Sequence, residues 1–201
     1  AFYVAKNPEF GAIMTYYLAE DVQTTKAARR EKEKDIAAEN GDVKFAPLTD
    51  LLDEAREDAP AIVFTVTDSE GNVVRRVEGP AKAGILRIAW DLRFPSLQAW
   101  RPREAAKDFE PGLGVMVAPG QYQVSMARRV DGVTTNLDAT MTFAVASIRP
   151  EPVLPGSTQV ERVIFLQQVD ELIRVAEGSD SAMALGSAEL DAAKAALKRG
   201  T

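Results

Sequence analysis

Asp91, Glu104, Asp108 and Glu110 are the carboxylates placed to supply a glycosidase pair. Glycoside hydrolysis needs two carboxyl groups held about 5–9 Å apart across the scissile bond. Spacing along this stretch, interrupted by Pro95, Pro102 and Pro111, does not define such a separation. The same stretch holds Trp100, Arg101, Arg103 and Phe109. Trp100 has no periodic apolar partner and is followed by two arginines, so it is the best candidate for stacking on a sugar ring. Tyr16 and Tyr17 could join such a platform, although aromatic residues on strands usually serve the core.

Other chemistry is closed off by composition. The chain contains neither Cys nor His. Thiolate nucleophiles, Cys/His zinc sites and a Ser-His-Asp relay are therefore excluded. Gly112-Leu-Gly-Val-Met-Val117 begins like a phosphate loop but lacks the third glycine and runs into Pro119 instead of a helix. Asp68-Ser-Glu-Gly-Asn72 offers oxygens, yet it lacks the length and distal glutamate of a calcium loop and reads as a hairpin turn. No catalytic residue, metal site or cofactor is expected. A net charge of -6 argues against a phosphate-backbone partner. No apolar run approaches the ~18 residues that cross a bilayer, so no membrane partner is expected. The chain opens on Ala1 without Met or a signal sequence, as a processed protein or a piece of a longer one would.

The elements that carry these residues follow from periodicity. Leu86, Ile88, Trp90 and Leu92 alternate with Arg87, Ala89, Asp91 and Arg93, the pattern of a strand with one buried face. Phe10–Leu18, Ala61–Thr67, Val73–Val77, Tyr122–Arg129 and Ala139–Val145 read likewise as strands. On the first, Ile13, Thr15 and Tyr17 face away from Met14, Tyr16 and Leu18. Asp131-Gly132 marks a tight hairpin. Trp90 is expected in the core beside Tyr122, Phe64 and Phe143, and Met141 is expected on the same inward face as Phe143.

Between the first two strands lies an insertion, residues 19–60. It contains a charged helix ended by Asn40-Gly41 and a short helix capped by Thr49. Strands at this spacing, most joined by tight turns, predict an immunoglobulin-like antiparallel β-sandwich over residues 1–148. A Pro-rich linker, 149–157, leads to a C-terminal αα-hairpin, 158–201. Thr158 and Glu161 form a capping box for the first arm, and Glu177-Gly-Ser-Asp180 separates the arms. Ile164 and Leu172 on the first arm, with Met183, Leu190 and Leu197 seven apart on the second, give more apolar face than two arms can bury. The surplus must meet the sandwich, a second copy or a missing domain.

Asn7-Pro8, Gly11-Ala-Ile-Met-Thr-Tyr-Tyr-Leu18, Val66-Thr-Asp-Ser-Glu-Gly-Asn-Val-Val-Arg75, Trp90-Asp-Leu-Arg93 and Pro119-Gly-Gln-Tyr122, together with the charged insertion, resemble the C-terminal region of large bacterial exported proteins. Those proteins carry sortilin-like or sialidase-like β-propellers ahead of this region. The strand motifs are also similar to the Ig-like domain of the flagellar hook-capping protein. The resemblance implies a periplasmic or extracellular setting, a propeller as partner and no catalytic residue. The chain is accordingly expected to be a non-catalytic structural and interaction module that braces or oligomerises its parent, including homodimer formation through the helical hairpin. The alternative is a carbohydrate- or peptide-binding module using the 94–117 loop.

Overall fold

The computed structural model describes residues 7–99, 112–148 and 157–199. They fall into two units: 7–92 with 120–144, and 93–99, 112–119 and 145–199. In chain order the elements are β1 (Ala12–Leu18), α1 (Thr25–Ala38), α2 (Leu48–Arg56), β2 (Ala61–Thr67), β3 (Val73–Gly79), β4 (Gly84–Trp90), β5 (Gly120–Val130), β6 (Val133–Val145) and α3 (Gln159–Arg199).

The strands form two sheets. β1 and β4 pair antiparallel, with Tyr16 opposite Leu86 and Ala12 opposite Trp90. The other sheet has the order β3-β2-β5-β6. β2 is rich in Val, Ile and Phe and lies centrally in that sheet, which is why Ala61 to Phe64 and Val66 are all buried. Both sheets feed one core. Tyr16 from β1 meets Ile62 and Phe64 from β2, with Met14, Leu86, Ile88, Val124 and Met126 packed around them.

Turn chemistry sets the register. Asp68 Oδ1 accepts from the backbone N–H groups of Glu70 and Asn72, both at 2.9 Å, so its oxygens organise the β2–β3 turn. Gly71 supplies the positive φ there. Asp131 (φ 47°) and Gly132 (φ 73°) both turn left-handed between β5 and β6, as a type I′ hairpin requires. β4 stops at Trp90 because Leu92 adopts φ 58°, so the alternation does not extend to Leu92 in the same strand.

The insertion is tied by charges. α1 has no buried residue, but Arg29 on it donates to both Glu54 oxygens on α2, at 2.5 and 2.8 Å. Glu57 caps the start of α1, accepting from the backbone of Thr25 at 2.7 Å. Asn40 (φ 58°) and the Gly41 N–H bonded to Ile36 O end α1 as expected. α2 departs from expectation: Pro47 occupies the cap, and Thr49 lies inside the helix with its hydroxyl on Asp50.

The Arg29 hydrogen bonds hold the Glu54 carboxyl below the usual range. Arg129 does the same for Glu78, and the Thr158 backbone and hydroxyl donors do so for Glu161. A depressed folded-state pKa stabilises fully above the unfolded value, about 4.3 for Glu, and that stability is lost as pH falls through the folded value. Melting temperature should therefore be flat from pH 7 to about 5 and fall below about pH 4. Glu54→Gln should flatten that acid limb. An unchanged acid slope in the variant would show that the α1–α2 clasp does not carry it.

The C-terminal hairpin is corrected to one helix: α3 runs unbroken for 41 residues. The capping box holds, with Thr158 N–H on Glu161 at 2.7 Å and Glu161 N–H on Thr158 Oγ1 at 3.2 Å. The Gly178 region fails to break it for two reasons. A mid-helix Gly costs only about 1 kcal/mol, and the Ser179 hydroxyl bonds back to Val175 O at 2.9 Å within the helix. The heptad row also continues in phase from Val169 through Ala176 to Met183, Leu190 and Leu197.

Candidate functional site

Trp100, Arg101, Arg103 and Phe109, with Glu104, Asp108 and Glu110, lie outside the described residues. The described limbs of that loop are zipped together. Arg93 bridges Met116, Phe94 N–H donates to Val115 O at 2.9 Å, and Arg93 Nη1 donates to Gly114 O at 2.8 Å. Gly114 is glycine because a Cβ there would strike the Phe94 carbonyl. The glycine that suggested a phosphate loop thus serves a close backbone approach.

The tyrosine pair does not form a platform. Alternation turns Tyr16 into the core, where its hydroxyl donates to Pro80 O at 2.7 Å, while Tyr17 is 65% exposed on the opposite face. Burial raises the Tyr16 phenol pKa. Tyr122 is also raised, by burial first and by the Asp68 carboxylate second. Both phenols are therefore held neutral as packing groups. Trp90, 1% exposed, sits with Tyr122 at 5.7 Å and Phe143 at 6.1 Å between ring centroids. Phe64, expected beside it, instead packs on Tyr16 at 5.0 Å, because it pairs opposite Met126, four residues along β5 from Tyr122.

A cavity of about 710 Å³ opens between β1 and β6. Met14, Tyr16, Phe64, Met126, Met141 and Phe143 are among its lining residues, and none of the described lining residues is ionisable apart from the two tyrosines of β1. Met141, expected inside, is 72% exposed. The cause is a mismatch of layers: among the described residues four strands face two, and none of them lies over β6 at that point. The cavity has no carboxylate or amine to move a proton; it can hold apolar side chains and backbone. Sequence reasoning missed it because Met14, Phe64, Met126, Met141 and Phe143 read as ordinary core.

The predicted interface residues Ile164, Leu172, Met183, Leu190 and Leu197 are all exposed on α3. Among the described residues, no group of three or more acidic side chains is arranged to hold a metal ion. No described helix is long and apolar enough to cross a membrane. Compared with family models, with curated proteins and with solved structures, the chain matches none.

Proposed function

We propose that this chain is a non-catalytic structural and interaction module that braces or oligomerises a larger bacterial exported protein. Its β part is an immunoglobulin-like sandwich, and its natural neighbour is a β-propeller preceding it in a periplasmic or extracellular parent. Strand order supports the sandwich assignment. In the immunoglobulin arrangement strands B and E share one sheet while C, F and G share the other, with C′ added beside C. β1–β4 and β3-β2-β5-β6 follow that order when β1 is B, β2 is C, β3 is C′, β4 is E, β5 is F and β6 is G. Tyr122 near the start of β5, two residues before the inward Val124, stands where the tyrosine corner of that fold stands.

The observation that carries the interaction reading is the exposed apolar row of α3. Leu172 is 69% and Leu197 75% exposed on a helix that spans about 60 Å. Exposed apolar rows of this kind mark association surfaces. Gly186 and Ala193, between Met183, Leu190 and Leu197, let a second helix approach closely. A two-fold dimer is the assembly this supports. Sedimentation equilibrium on the full chain should show a concentration-dependent dimer. Replacing Ile164 and Leu172 together with Glu should weaken it about 100-fold or more while leaving near-ultraviolet circular dichroism of the sandwich unchanged. A monomer at all concentrations would refute self-association through α3.

A further inference from the structure

We infer that the cleft between β1 and β6 is a strand-acceptor groove, which takes one extended segment of a second polypeptide, apolar at alternate residues and basic at its ends, paired to the free edge of β1. This goes beyond the α3 reading and uses none of its residues.

Among the described residues, β1 pairs only with β4, and β6 pairs only with β5. Each therefore presents a row of backbone donors and acceptors along its outer side, the template onto which an extended chain adds. The two free edges border one cavity. A strand added to β1 would make the smaller sheet three-stranded, and its inward side chains would lie over Met141 and Phe143. That cover is what the two-on-four mismatch leaves missing. β1 is seven residues long, so the pairing length is about 23 Å. On the opposite face Ile13 and Tyr17 are exposed, and an added strand would give both a cross-strand neighbour.

The surroundings specify the occupant's charge. The acids flanking β1 are Glu9 before it and Glu20 and Asp21 after it, and β6 carries Asp138, while the Arg87 opposite Thr15 belongs to β4 on the far side of β1 from the groove. The lining itself carries no charge. A segment uncharged in the middle and basic at its ends matches both features, and like-charged ends would be repelled. A small polar ligand is a poorer fit, because the buried Tyr16 hydroxyl already donates to Pro80 O.

The probe is an end-blocked peptide, Lys-Val-Thr-Val-Thr-Val-Thr-Val-Lys, added to the full chain. Hydrogen exchange of the Ala12–Leu18 amides that do not bond β4 should slow at least tenfold with the peptide present. Replacing both lysines of the peptide with Glu should weaken binding at least tenfold at low salt, and Met141→Arg should abolish it. A peptide N-methylated on every Val and Thr keeps its side chains but loses its donors, and should not bind. This arm needs no variant protein and so does not depend on how Met141→Arg folds. Equal binding of the methylated peptide would reduce the groove to an apolar pocket and overturn the inference. So would absence of binding at about 1 mM, a level typical of the weakest specific contacts. Protection, in the free chain, of those β1 amides that do not bond β4 would assign the groove to a segment of the chain itself. Protection rising with protein concentration alone would assign it to a second copy. Either result overturns the choice of a polypeptide other than this chain as the occupant.

Discussion

Trp90→Ala should cost about 3–5 kcal/mol of unfolding free energy, which in a domain of ordinary stability is about a fifth or more of the total. The side chain is 1% exposed, and its ring meets Tyr122 and Phe143 edge-on, while those two stack on each other at 6.0 Å. Truncation removes the largest fully buried side chain and leaves a void that three elements, β4, β5 and β6, would have to collapse to fill. Trp90→Phe keeps part of the volume and the edge-on geometry, so its cost should be clearly smaller. Urea unfolding followed by far-ultraviolet circular dichroism reads both variants without relying on Trp emission. A loss below about 1 kcal/mol for Trp90→Ala would mean that the ring is not in a packed core. In a background with Trp100 replaced, iodide should also fail to quench Trp90 in the native state.

Gly11→Ala should be comparably damaging, by about 2–6 kcal/mol, although Gly11 is only half-buried. Gly11 has φ 123°, a backbone region that L side chains rarely adopt. A Cβ there would also run into the Trp90 carbonyl and approach Asp91 Cα. Those obstacles are backbone atoms of the partner strand's end, which cannot swing aside as a flexible side chain can. Relief would require pulling β1 away from β4 just where Ala12 pairs with Trp90. Gly71→Ala is the control. Its φ of 86° carries a conformational cost, but no atom lies within 4 Å of the new methyl, so about 1 kcal/mol is expected. Measured by denaturant midpoint, equal effects of the two substitutions would show that Gly11 matters only for its dihedral angle.

Sequence by itself determined most local structure in this protein, because its signals are short-range. Period-2 alternation placed Trp90 and Tyr122 inward and set Tyr16 and Tyr17 on opposite faces, and burial agrees. Asp68–Asn72, Asp131-Gly132 and Asn40-Gly41 are turn or cap residues whose dihedral demands are met within a few positions. The Thr158–Glu161 box works for the same reason. Where a local signal was ambiguous it misled. Gly178-Ser179 resembled a break, but helix continuity depends on the backbone ladder and on the heptad phase across it, and both persist.

Tertiary structure alone decided what depends on partners far along the chain. β1 finds β4 some seventy residues later, across an insertion and a hairpin. No pattern in either strand encodes that pairing, since any half-buried edge can satisfy any other. Arg29 chooses Glu54 from among many carboxylates only once α1 and α2 lie together. Met141 shows the limit most plainly. Its alternation with Phe143 is correct for a strand, yet it remains exposed because, among the described residues, the facing sheet has two strands against four. Periodicity reports which face of a strand is apolar. Whether another layer arrives to cover that face is a property of the sheet count, which only the assembled fold supplies.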